Sequence, residues 1–365
     1  MEGEVNNFIK VCLSVFLCLC YCYAIGKIVP RGRRRLLCVL PIVCFFLLLP
    51  LNLHSVHLGV ITAFFIAWLA NFKLLLFALG KGPLSSHPSI SLGRFMSVAC
   101  FPIKVQQNTP NLEKPRNTNT QLSYLDDKNK ENPTSKRSPL KYVIMAVLLG
   151  ILIRVYDYSD HIHPTIVLLL YCSHIYLFFE IILAVVGALA RALLGVDLEP
   201  HFNEPYLSTS LEDFWGRRWN LMVTDILRLT VYDATHHATA CVIGPKWAHL
   251  PATFANFVVL GLVHELIFYY LGRARPTWEV TCFFLLHGLC LTVEVVLKKA
   301  FFTGGWRLPP LISGPLTVGF FMVTYIWLFL PQFLRCRADE RAIEEYAAFG
   351  EFVKSTITRA LIFVF

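Results

Sequence analysis

The chain has 365 residues, 56% of them hydrophobic and only 16% charged, with a mean hydropathy of +0.56. One soluble core does not hide that much apolar surface, so the composition excludes an ordinary soluble domain and points to an all-α polytopic membrane protein. The formal net charge of +9 sits in short basic runs between apolar segments, which argues against nucleic acid and for orientation signals and attraction to anionic lipid or substrate.

Residues 8–25 form the first predicted span. Glu2 and Glu4 precede it and no small-residue cleavage site follows, so it reads as a retained span rather than a signal peptide. A basic linker with Lys27, Arg31, Arg33, Arg34 and Arg35 leads to a second run, 36–53, holding Pro41 and Pro50. The third, 58–79, carries Trp68, Asn71 and Lys73. Each run approaches the ~20 residues that cross ~30 Å of hydrocarbon. Trp68 reads as a packing or interface aromatic, and Lys73 and Asn71 are expected to pair with a carboxylate such as Glu180, unless Lys73 snorkels to the interface.

From 80 to 141 the pattern breaks. Gly82-Pro83, His87-Pro88 and Phe101-Pro102 punctuate a weakly amphipathic stretch, and residues 106–139 have the Asn, Thr, Ser, Lys and Pro content of a disordered basic loop within a single domain, 1–365. Apolar character returns over 142–155, followed by a polar turn with Asp157 and Asp160. Residues 164–194 are too many for one untilted span, so the run is either a tilted helix or two segments joined near Gly187. The amphipathic stretch 221–232 predicts an interfacial or re-entrant helix. Three further spans over 253–271, 278–297 and 311–334 bring the total to about eight, and a charged amphipathic helix, 337–358, follows.

Most of the twelve cysteines lie within apolar runs and read as reduced, buried thiols, with Cys22 near a membrane edge a candidate for acylation. The basic linker at 27–35 and the basic stretch 80–141 are two spans apart and so share a side, which the positive-inside rule makes the cytosol. That count puts the loop before Asn220 on the cytosolic side, although Arg273 and Arg275 fit it poorly. No metal-ligand spacing, nucleotide loop or cysteine-nucleophile motif is present, and His236-His237 is an isolated pair in a predicted loop.

Two features carry chemistry. His264-Glu265 interrupts the apolar run Val258 to Phe268, where ionisable groups are expensive and therefore functional candidates. A neutral imidazole in apolar surroundings accepts a proton from a hydroxyl, whereas a structural histidine bonded to a backbone carbonyl of another helix explains the same pattern. Glu265 points about 100° away on a helix and is suited to orienting a neighbouring one. The second feature is Phe214-Trp215-Gly216-Arg217-Arg218-Trp219-Asn220. Its tryptophans and arginines suit an interface anchor; alternatively Arg217 and Arg218 hold the phosphates of an anionic carrier while Asn220 offers an amide N–H to a carbonyl oxygen. His287 and Glu294, seven apart, share a helix face and either line a tunnel or bond between helices.

These residues, with Phe202-Asn203-Glu204-Pro205-Tyr206, Leu69-Ala70-Asn71-Phe72-Lys73, Gly82-Pro83-Leu84-Ser85 and Arg275-Pro276-Thr277-Trp278, resemble the plant wax synthase branch of the membrane-bound O-acyltransferases. The resemblance covers nearly the whole chain outside the 106–139 loop. It implies a helical bundle with an internal tunnel in the endoplasmic reticulum membrane, esterifying a lipid hydroxyl from acyl-CoA, a co-substrate, without a cofactor or metal. It assigns His264 as general base and Asn220 as the group that steadies the acyl carbonyl, with Trp215, Arg217, Arg218, Trp219, Glu265 and His287 as substrate-binding candidates. The implied acceptor is a long-chain alcohol or a sterol, or diacylglycerol with an acetyl donor. Some relatives carry a serine one turn before the histidine, where this chain has Leu260. From other classes, a transporter or a lipid-binding scaffold also explains buried His and Glu residues.

Overall fold

The computed structural model describes residues 2–85, 90–101, 139–194, 202–301 and 308–364. The predicted loop 106–139 lies outside the described residues except for its last position. Every regular element among the described residues is helical, as an apolar chain requires when its backbone must bond to itself away from water.

The chain opens with α1 (Glu2–Ile28) and α2 (Arg33–Leu48). Next, α3 (Val56–Thr62), a π-helical segment (Ala63–Ala70) and α4 (Asn71–Ala78) run on as one span. Ser55 starts it, its side chain accepting the Leu58 N–H. A short α5 (Leu92–Cys100) follows, then α6 (Pro139–Val155) and α7 (Pro164–Leu194). At 31 residues α7 is a single helix ~46 Å long, which resolves the reading of 164–194 in favour of one continuous span.

The central segment contains α8 (Leu211–Asp213), α9 (Leu221–Leu227) and α10 (Asp233–Ile243), joined by π turns at Phe214–Arg218 and Arg228–Tyr232. The stretch 221–232, expected as an interfacial or re-entrant helix, is α9 followed by a π turn. Met222, Val223, Ile226 and Leu227 bury one face of α9 in the core, whereas the π turn Arg228–Tyr232 and α10 have no buried residue. His236 and His237 lie on α10, not in a loop. The last elements are α11 (His249–Gly272), α12 (Glu279–Phe301), α13 (Pro310–Thr324), a π segment (Tyr325–Phe329), α14 (Leu330–Arg335) and α15 (Ala338–Val364).

Among the described residues seven helices are long and apolar enough to cross a membrane, and the 17-residue α6 adds an apolar helix of ~25 Å beside α7. One core joins α1, α2, α4 and α5; a second gathers the 56–70 segment, α7, α9, α11, α12 and the α13–α14 span. The most extensive helix pairing among the described residues is α11 with α12. Their approach depends on Gly288, where an added Cβ would lie 2.8 Å from the Phe257 Cβ.

Polar side chains tie the ends of these helices. Lys298 binds Glu212 at 2.9 Å and Lys299 lies 2.9 Å from His249, so the α12 C-terminus, α8 and the α11 N-terminus share one end of the bundle. At the opposite end Glu345 accepts from the backbone of Val56 and His57, from the Ser55 hydroxyl and from the His57 ring. There too, one Arg273 nitrogen donates to the carbonyls of Pro50, Leu51 and Leu53.

Two expectations are corrected by these contacts. Lys73 neither pairs with Glu180 nor snorkels: it is 1% exposed and donates to the carbonyls of Val98 at 2.7 Å and Phe101 at 2.6 Å, capping α5. Glu180 instead binds Lys141 at 3.2 Å. Among the cysteines only Cys22 and Cys336 are buried; Cys12, Cys44, Cys241 and Cys282 are exposed. With no exposed surface, Cys22 presents no thiol to an acylating enzyme.

Candidate active site

His264 projects from the middle of α11 and is half-buried. Its Nδ1 lies 2.8 Å from the Leu260 carbonyl oxygen one turn earlier. A carbonyl only accepts, so Nδ1 carries the proton and Nε2 presents its lone pair. The backbone at Leu260 thus orients the ring, a task that needs no hydroxyl at that position. Three aromatic rings surround the imidazole: Phe284 at 4.5 Å, Phe329 at 5.7 Å and Trp68 at 5.9 Å between centroids. Trp68 and Phe329 both lie in π segments. One extra residue per turn re-aims side chains relative to a regular helix, and π turns concentrate at functional sites for that reason.

Glu265 faces away from His264. It is 3% exposed, and its Oε1 accepts from the Thr281 N–H at 3.1 Å and hydroxyl at 3.3 Å. A carboxylate there satisfies the first turn of α12, whose N–H groups have no intrahelical acceptor. Glu265 therefore positions the helix that carries Phe284 and His287.

His287 is fully buried and both of its ring nitrogens are occupied. The Trp215 indole donates to its Nδ1 at 3.2 Å, and its Nε2 lies 2.8 Å from the Thr324 Oγ1. That hydroxyl donates onward to the carbonyls of Phe320 and Phe321, so Nε2 is the donor to Thr324. Of the two sequence readings of His287, tunnel lining or a bond between helices, these contacts match the second. Glu294 bonds between helices as well, its carboxylate accepting the Leu211 N–H of α8 at 2.9 Å while also pairing with Lys298.

Asn220 is the N-cap of α9, with φ 38° and ψ 62°. Asparagine tolerates this left-handed conformation better than most residues. The π turn before it closes through the Trp219 N–H to the Phe214 carbonyl at 2.9 Å. Trp219 stacks on Phe214 at 5.4 Å and meets Phe202 edge-on at 5.1 Å. The two arginines separate: Arg218 binds Asp213 at 2.7 Å and reaches the Asn203 and Glu204 carbonyls, strapping the loop together, whereas Arg217 is exposed. Substrate phosphate would have to displace the Asp213 partner from Arg218, so Arg217 is the better-placed cation.

No bond joins Asn220 to His264 among the described residues, but a shared core does. The buried face of α9 packs with Trp68, Leu260 and Phe284 in one cluster, and the Phe284 ring contacts both His264 and Trp215. Two polar atoms here lack a partner among the described residues: the Asn220 Oδ1 and the Trp68 Nε1. Sequence reasoning took Trp68 for packing; Asn71 and Lys73, on the same predicted span, were the only sign that it holds polar work. Three or more metal-ligating side chains do not cluster anywhere among the described residues.

The sequence is similar to those of known proteins. Residues 198–286, which include both Asn220 and His264, match the sequence profile of the membrane bound O-acyl transferase family. Acyl-CoA--sterol O-acyltransferase 1 of Arabidopsis thaliana is 48% identical, the alignment covering 98% of this chain and 99% of that protein. The long-chain-alcohol O-fatty-acyltransferase of Simmondsia chinensis is 46% identical over 95% of both chains. A probable long-chain-alcohol O-fatty-acyltransferase 1 of Arabidopsis thaliana is 43% identical over 94% of this chain and 96% of its own.

Proposed function

The chain belongs to the membrane bound O-acyl transferase family, and on that premise we propose that His264 is the general base of an acyl-CoA-dependent transfer to a lipid hydroxyl. The acceptor class follows the names of the relatives: a sterol or a long-chain alcohol. The observation that carries the assignment of the base is the Nδ1 bond to Leu260, which leaves the Nε2 lone pair free. In the transfer, Nε2 takes the hydroxyl proton as the oxygen attacks the thioester carbonyl. The C–S bond of the tetrahedral intermediate then breaks and the proton passes to the departing thiolate. A thioester is already activated, so the step needs no acyl-enzyme, and the aromatic walls limit hydrolysis by excluding water. Asn220, through its side-chain amide, steadies the acyl carbonyl, and Arg217 attracts the phosphates of CoA.

We further infer an endoplasmic reticulum location with the Asn220 end in the cytosol, where acyl-CoA is water-borne. Charge supports that orientation. Lys27, Arg31, Arg33 and Arg34 begin and end helices at the Asn220 end, which also holds Lys81, Arg217 and Lys298. At the other end Arg335 is paired with Glu279, Arg337 with Glu340, and Arg273 is absorbed by carbonyls. Arg273 therefore counts little against the positive-inside rule.

The test is His264→Ala in microsomes of an esterification-deficient host, supplied with matched acyl-CoAs and a long-chain alcohol, a sterol or diacylglycerol, with esters identified by mass. The wild type is expected to form esters of the first two acceptors and the variant none, at equal expression. Near-normal turnover by the variant refutes the base. Solute movement without CoA release by purified protein refutes the reaction itself and returns the transporter reading.

A further inference from the structure

We propose that the Trp68 indole N–H is an oxyanion donor, hydrogen-bonding the acyl carbonyl oxygen as it gains charge. The inference rests on His264 being the base and adds a second group on the other side of the reacting carbon. Trp68 is 4% exposed, and its Nε1 is the one buried side-chain nitrogen without a hydrogen-bond partner among the described residues. Orphaned buried N–H groups are rarer than under-used carbonyl oxygens, because an acceptor has two lone pairs to satisfy and an N–H has one proton. Of the rings against His264, those of Phe284 and Phe329 have no polar atom, so the indole is the hydrogen-bonding group of that wall.

Spacing and rigidity fit the role. The Trp68 and His264 rings meet edge to face, their centres 5.9 Å apart at 68°, so the indole and the imidazole border one stretch of wall, where a tetrahedral carbon would present one oxygen to each. Its former hydroxyl oxygen faces Nε2 and its former carbonyl oxygen faces the indole. As the nucleophile's O–C bond forms, the carbonyl π electrons move to the oxygen beside Trp68. They return when the C–S bond breaks, so the donor stabilises charge without exchanging a proton. Seven of the eight residues in the Ala63–Ala70 π segment are buried, and Phe64 holds the indole edge-on at 5.3 Å. A donor fixed before the reaction has no reorganisation cost during it.

The test replaces Trp68, in the full-length protein, by β-(3-benzothienyl)alanine, which keeps the ring shape and puts sulfur in place of N–H; Trp68→Phe is the recombinant counterpart. Steady-state kinetics with a long-chain acyl-CoA and a long-chain alcohol are expected to show kcat lowered about 10²–10³-fold. KM for both substrates should stay within roughly twofold and thermal unfolding should be unchanged. A wild-type kcat, or a loss confined to one KM, overturns the donor assignment and leaves His264 as base. Full activity in His264→Ala overturns the reading beneath it instead, so the two failures are distinguishable.

Discussion

Replacing Glu265 separates a helix-positioning role from a chemical one. In Glu265→Ala, the Thr281 N–H and hydroxyl both lose their acceptor; Glu265 is 3% and Thr281 9% exposed, so water does not readily replace it. The hydroxyl can rotate to a backbone carbonyl, but the N–H, in the first turn of α12, cannot. An unsatisfied buried N–H costs about 1–3 kcal/mol, and losing the charge-assisted bond with the cavity left by the side chain brings the total to about 3–5 kcal/mol. Glu265→Gln keeps an oxygen where Oε1 stands but puts amide N–H groups where Oε2 has no partner among the described residues, so it should cost about 1–3 kcal/mol, less than alanine. The assay is the fraction of monodisperse protein surviving a heating series in detergent, run beside acyl transfer on the same preparations. Alanine should lower the midpoint by several degrees and reduce transfer through displacement of Phe284, while glutamine, which keeps the acceptor for Thr281, should lose less of both. Equal damage by both substitutions refutes the capping argument. Full stability with no transfer in Glu265→Gln would show that the carboxylate charge takes part in the reaction.

Other perturbations probe the frame around the site. Gly288→Ala places a methyl 2.8 Å from the Phe257 Cβ and should cost about 1–3 kcal/mol, outweighing the ~1 kcal/mol helix-propensity gain; Gly150→Ala on α6, with nothing within 4 Å, should show only the gain. Heating midpoints of the two variants moving in the same direction would refute this. Thr324→Val leaves the His287 Nε2–H without an acceptor and should destabilise by about 1–3 kcal/mol with kcat preserved in the folded fraction; a kcat loss at full stability would return His287 to the reaction. Glu345 links stability to pH. Burial raises its carboxyl, but bonds from the His57 ring and backbone, the Val56 N–H and the Ser55 hydroxyl outweigh that and hold it below the usual glutamate value. A depressed folded value stabilises fully above the unfolded pKa of ~4.3 and less as pH falls through the folded one. Wild type should therefore lose heat resistance in that acid range, and Glu345→Gln should start lower and lose less; identical pH profiles would refute the coupling.

Residue type gives hydrogen-bonding capacity, and only the fold decides occupancy. The spans were legible because lipid leaves an apolar chain little choice but helix, and the intrusion of His264 into such a run was legible for the same reason. The partner of Lys73 was not, because any group brought near it would have served, and the choice fell on two carbonyls at the end of α5. His287 has the same apolar sequence surroundings as His264, yet Trp215 and Thr324 occupy both its nitrogens while His264 keeps Nε2. The π turns that bring Trp68 and Phe329 to His264 add a residue to a turn without changing composition, so hydropathy does not register them. Once occupancy is counted, Lys73, His287 and Arg218 are bound within the protein, and His264 Nε2 and the Trp68 N–H are left over on rings that meet edge to face. Unmatched carbonyl oxygens on Asn71 and Asn256 show that leftover acceptors alone mark no site. A leftover donor beside a leftover lone pair is the pairing the proposed transfer calls for, one group for each oxygen on the attacked thioester carbon.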